Sequence, residues 1–196
     1  MRLKRIVLAG STLVVALSPV FASAAAQSTN TVLNATVNDV ISIATSTTVA
    51  ISLTPTAGGV VSSASDTVTV NSNRTTGYNL KISASDATAN LTSGANTFTP
   101  SAGTFASPTT LANGTWGYRI VNAGGFGATA YSAEANNASS TSTWAGMPVL
   151  ASPTTVKTTG TTATNDVTTV WYGAKAASTQ PNGTYTDTVT YTATNN

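Results

Sequence analysis

The chain of 196 residues contains no cysteine and no histidine, only 7% of it is charged, and Asp and Glu together number six. Without cysteine there is no disulfide, no thiolate nucleophile and no thiolate metal site. Without histidine the commonest general base and the commonest metal ligand are missing, so Ser-His-Asp, Cys-His and zinc-type chemistry are excluded. The acids Asp39, Asp66, Asp86, Glu134, Asp166 and Asp187 show no spacing that pairs two of them for glycoside hydrolysis. The chain is therefore expected to be no enzyme and to need no metal or cofactor.

The formal net charge of +2 misleads. Arg2, Lys4 and Arg5 precede an apolar run from Ile6 to Phe21 and the small-residue stretch Ala22–Ala26. A basic start, an apolar middle and an A-x-A site predict a secretory signal peptide over residues 1–26. Gly10, Ser11, Thr12 and Pro19 interrupt the apolar run, which is short for a membrane anchor. The chain beyond residue 26 is about neutral and has no basic block, so no nucleic-acid partner is expected. It also has no second apolar run long enough to span a membrane. These features predict a secreted or cell-surface protein, and the lack of cysteine suits a bacterial surface better than a small disulfide-stapled eukaryotic domain.

Leu, Ile, Val and Phe make up less than about a fifth of the exported chain, a level at which disorder competes with folding. Its charge is low, however, and its apolar residues alternate. Leu33, Ala35, Val37, Ile41 and Ile43 fall on odd positions, as do Val49, Ile51 and Leu53. Val68 and Val70, then Tyr78, Leu80, Ile82 and Ala84, then Trp116, Tyr118 and Ile120 continue the pattern. Near the end Tyr185, Val189, Tyr191 and Ala193 alternate with threonines. A period of two predicts half-buried strands, and Thr, Val, Tyr and Trp favour them intrinsically. Turns are marked by Thr54-Pro55, Gly58-Gly59, Asn113-Gly114 and Pro181-Asn182-Gly183. The expected fold is all-β: one antiparallel, immunoglobulin-like β-sandwich over residues 27–196, with a thin core and Thr-rich outer faces.

Residues 86–114 and 122–153 do not read as strands. Stretches of that length are either functional or carry short strands of their own. Phe126, Tyr131 and Trp144 in the second are the candidate binding residues, because aromatics on sandwich loops can stack on sugar rings or a partner surface. The alternative is that they close the open end of the core. Asp66 and Asp187 each open a D-T-V-T run, where an Asp would cap turn amides. An internal Lys–Asn isopeptide bond at Lys81, Lys157 or Lys175 is the remaining covalent possibility.

The run from Asp66 to Ser83, and the ending in which Val170-Trp171-Tyr172-Gly173-Ala174-Lys175 leads through Pro181-Asn182-Gly183 into a Thr-alternating strand, resemble WxL-type bacterial cell-wall domains. The Trp-x-Leu signature itself is absent, since Gly117-Tyr118 follows Trp116 and Tyr172-Gly173 follows Trp171. Residues 30–196 also resemble a group of Thr-rich secreted surface proteins of very small bacteria. The shared stretches are Asn113–Arg119, Thr143–Pro148 and Asn182–Asn196. The resemblance implies export and a surface location and brings no activity with it. Two functions are compatible with it. One is a non-catalytic surface protein that binds cell-wall polymer, glycan or another surface protein. The other is a structural subunit of a coat or appendage, in which a regular strand such as Thr184–Thr194 adds to a neighbour's sheet edge.

Overall fold

A computed structural model describes residues 27–196. The signal peptide expected over residues 1–26 lies outside the described residues. The described chain holds eleven strands: β1 (Ile41–Ala44), β2 (Val60–Ser72), β3 (Tyr78–Ala84), β4 (Leu91–Ser93), β5 (Asn96–Pro100), β6 (Thr109–Thr110), β7 (Thr115–Arg119), β8 (Thr143–Trp144), β9 (Thr154–Thr158), β10 (Ala163–Ala176) and β11 (Val189–Asn195). A six-stranded sheet runs β1-β2-β10-β7-β5-β4, a three-stranded sheet runs β11-β3-β9, and β6 pairs with β8 in a short ribbon. The all-β architecture read from the alternation is present.

Both main sheets turn one face to a common core. Val68 and Val70 of β2, Trp116 and Tyr118 of β7, and Val170, Tyr172, Ala174 and Ala176 of β10 meet Tyr78, Leu80, Ile82 and Ala84 of β3. β2 and β10 pair antiparallel along nearly their whole lengths. The chain passes from the large sheet to the small one at Arg74-Thr75-Thr76-Gly77. There the Gly77 amide donates to the Arg74 carbonyl at 3.0 Å. Gly77 has φ +82° and lies so close to Thr159 that a Cβ would stand 2.2 Å from its carbonyl oxygen, which leaves room only for glycine.

The two sheets are also joined by polar contacts. The Asp166 carboxylate on β10 accepts from Lys157 on β9 and, at 2.8 Å, from the Tyr78 hydroxyl on β3. The Tyr172 and Tyr191 hydroxyls bond to each other between β10 and β11. Burial pushes the Asp166 carboxyl up, but the Lys157 and Tyr78 hydrogen bonds and the Lys157 charge outweigh it and hold it below the ordinary value.

The structure departs from the sequence reading in three ways. First, β5 and β7 pair in parallel, Thr99 with Thr115 and Pro100 with Trp116. The intervening chain, with β6 inside it, is long enough for the crossover a parallel pair needs. Pro100 costs no rung, because the amides that reach β7 are those of Thr99 and Ser101, donating to Gly114 and Trp116. Second, residues 86–114 and 122–153 carry β4, β5, β6 and β8 and so are not plain loops. Third, Leu33, Ala35 and Val37, and likewise Val49, Ile51 and Leu53, alternate like strands yet form none.

Candidate interaction surfaces

The three aromatics singled out in the sequence converge on one cation. On the outer face of the six-stranded sheet, Arg119 of β7 lies across from Trp171 of β10. Its guanidinium carbon is 4.2 Å from the ring centre of Tyr131, 5.7 Å from that of Phe126 and 5.9 Å from that of Trp144. Tyr131 also meets Trp144 and Trp171 edge to face, at 5.5 and 5.0 Å between centres. Residues 122–153 thus contribute a second apolar cluster, Val61, Leu111 and Trp144 with Tyr131 and Trp171, on the side of the large sheet away from the main core.

Glycines make the floor of this cluster. Gly117 and Gly173 face each other on β7 and β10. A Cβ on Gly173 would lie 2.5 Å from the Trp144 ring, and one on Gly117 would lie 2.4 Å from the Ala145 carbonyl oxygen. The indole lies against sheet backbone because neither strand offers a side chain there. Glu134 closes the rim. Its carboxylate accepts from Ser142, from Tyr131 at 3.2 Å and from Asn137 at 3.0 Å. Burial lowers the Arg119 pKa against the opposing effects of Tyr131 and Glu134. Burial raises that of Tyr131 to about 12, although a hydrogen bond with Ser63 pulls it down.

This geometry assigns the aromatics to packing. Trp144 is 0% exposed and Phe126 5%, and Tyr131 is half-buried with its hydroxyl bonded to Ser63 at 2.9 Å. Neither Trp144 nor Phe126 has a free ring face on which a sugar could stack. Arg119 escapes a reading confined to loops because it sits in a strand. Its place on the face of β7 opposite Trp116 and Tyr118, which the alternation of residues 116–120 gives, is the only part of this arrangement that the sequence carries; the register with Trp171 is not.

The acids are likewise engaged in structure. Asp66 is buried mid-strand in β2, not at a strand start, and its carboxylate accepts from the Thr45 and Ser46 hydroxyls and from the Ser46 and Thr67 amides. It caps no turn amide, the role expected of an Asp at a strand start, and instead pins Thr45 and Ser46, where the chain leaves β1. Asp187 caps the Thr188 amide. Burial raises its pKa, with the Asp86 charge adding to the rise. Among the described residues no group of three or more acids could hold a metal ion, and no helix is long and apolar enough to cross a membrane. A surface hollow of about 530 Å³ is lined by Asn122, Lys157 and Thr168, and the Lys157 ammonium there is already bound to Asp166.

The exposed apolar residues lie elsewhere. Val32, Leu33 and Val37 are 80%, 91% and 84% exposed, and Val40 and Ile43 are also exposed. Leu33 and Val37 belong to an alternating stretch that becomes a strand only at Ile41; Val49, Ile51 and Leu53, the other stretch that forms no strand, are partly buried against the core instead. Among the described residues the two main sheets have four edge strands: β1 and β4 on the large sheet, β9 and β11 on the small one. Comparison with family models, with curated proteins and with solved structures finds no match for the chain.

Proposed function

We propose that the exported chain is a non-catalytic structural subunit of a bacterial surface coat or appendage, assembled from its own copies by β-strand addition. The observation that carries this reading is the stretch from Val32 to Val37. Leu33, Ala35 and Val37 alternate with polar residues as in a strand, and Val32, Leu33 and Val37 meet water instead of a core. An exposed strand-forming segment, in a chain that also has open sheet edges, supplies both halves of a strand-addition contact.

Export is supported by the basic, apolar and A-x-A pattern of residues 1–26. A non-catalytic role is supported by the absence of histidine and cysteine and by the commitment of Asp39, Asp66 and Asp166 to ion pairs or hydrogen bonds. Recognition of a wall polymer or glycan has less support, because the aromatics that would serve it are packed around Arg119.

Fractionation of cells expressing the full chain, followed by sizing of the exported protein, tests the proposal. The expected result is a high-mass, surface-associated species that collapses to monomer when Val32, Leu33 and Val37 are changed to Ser. A monomer in the medium, unchanged on concentration, would overturn it.

A further inference from the structure

Resting on that reading, we infer that the acceptor of the added strand is the outer edge of β11, and that the donor is the Val32–Val37 stretch of a second copy, which precedes the residues held to β2 and to Asn73 and Arg74. The four edges are not equivalent. β4 is three residues long, and its far side is taken, since Thr92 and Thr186 exchange both backbone hydrogen bonds at 3.0 Å. β9 is five residues long, slips register against β3 between Leu80 and Lys81, and carries Lys157. β1 is a four-residue strand. β11 pairs with β3 over seven consecutive rungs without a bulge and contains no charge, no proline and no glycine. Natural edges are blunted by lysine, proline, bulges or shortness, and β11 has none of these.

The hydrogen-bond parity identifies which atoms are open. At the two ends of the ladder the Ser85 amide donates to the Thr188 carbonyl and the Asn196 amide to the Gly77 carbonyl. Even-numbered residues of this segment therefore direct their backbone toward β3, and by alternation Val189, Tyr191, Ala193 and Asn195 direct theirs away. Their amides make no backbone bond outside that ladder among the described residues. The side chains of Val189, Tyr191 and Ala193 are half-buried against the core, and β1 stands beside β11 without a ladder between them. Ile43, paired with the inward-facing Val70, is nonetheless 39% exposed. A donor strand bonded to β11 would set Leu33, Ala35 and Val37 on the core side, beside Val189, Tyr191 and Ala193, and Val32, Asn34 and Thr36 outward, beside Thr190, Thr192 and Thr194.

The absence of native cysteine permits a direct test. Two full-length variants are mixed under mild oxidation, one with Thr36→Cys, on the outward face of the donor, and the other with Thr192→Cys, Thr92→Cys or Thr155→Cys, which also face outward. The expected result is a cross-linked heterodimer with Thr192→Cys, at least tenfold above the other two. Ala193→Pro, which removes an outward amide and spares the β3 ladder, should abolish assembly while the monomer keeps its melting transition. Cross-linking through Thr92→Cys or Thr155→Cys would overturn the assignment of β11 and leave strand-addition assembly standing. Absence of any cross-link from a species that sizes as monomer would overturn both. Assembly that persists in Ala193→Pro with an intact fold would also reject β11 as the acceptor.

Discussion

Trp144 is seated on Gly173: a Cβ added to that glycine would lie 2.5 Å from two atoms of the indole. The contact explains why a strand of fourteen residues tolerates a glycine in its interior, where glycine ordinarily weakens a sheet. Gly173→Ala is expected to destabilise the fold by about 1–3 kcal/mol through overpacking. Urea unfolding would measure the loss, and Trp144→Phe in the same chain should recover part of it. An unchanged midpoint in the single variant would show that the indole is free to move.

Arg119 supplies a second prediction. Its Nε is buried without a partner and its guanidinium is stacked on Tyr131 at 4.2 Å. A planar guanidinium stacks where an ammonium does not, so lysine is no conservative replacement here. Arg119→Lys should cost about 0.5–2 kcal/mol, measured as a lowered thermal midpoint, and should alter Trp fluorescence.

Asp66 ties stability to pH. Burial raises its carboxyl, but the Ser46 and Thr45 hydrogen bonds dominate and leave its folded pKa below the ordinary value of 3.8. A carboxylate with a depressed folded pKa stabilises the protein above its unfolded pKa, and that stability is lost as pH falls through the folded value. Asp166 has the same sign, whereas Asp187, raised by burial, opposes it. The melting temperature is expected to hold steady near neutrality and to drop below about pH 4. Asp66→Asn should flatten that drop at the expense of stability at pH 7.

Much of the fold is legible in the sequence. Alternation locates β3 and β7 closely, and it locates the Val68–Val70 part of β2 and the later part of the last strand. It fails where its physical premise fails. In β10 the inward series passes through the buried Thr168 and through small residues such as Ala174 and Ala176, so the polarity contrast that marks a face is weak. From Leu33 to Val37 the contrast is strong, but no strand of the described chain pairs with it. Alternation reports a capacity to be half-buried, and the partner decides whether it is used. The aromatics of residues 122–153 can be named as a group from sequence. Their convergence on Arg119 depends on the register between β7 and β10, which no local pattern encodes.

Lys157 and Asp166 set a fourth expectation. Their side chains are 29% and 27% exposed, Tyr78 completes the triad, and among the described residues no acid other than Asp166 bonds to Lys157 to assist condensation. The arrangement is an ion pair and not an amide. The intact mass of the purified chain should show no loss of ammonia or water from this pair, and a double-mutant cycle on the pair should return about 1 kcal/mol or less.

The long ladder between β2 and β10 has a kinetic consequence. Val60 finds Ala176 and Val70 finds Asp166, so the central pairing of the fold joins segments far apart in the chain. Such pairing closes a large loop before any contact repays it and makes folding slow. A chain threaded outward from residue 1 would present β2 with its β10 side vacant until nearly all of it has crossed. On the proposed export route neighbouring chains would have to be kept apart during that interval, and the thirteen-residue β2, more than any surface of the finished molecule, is where premature association would begin.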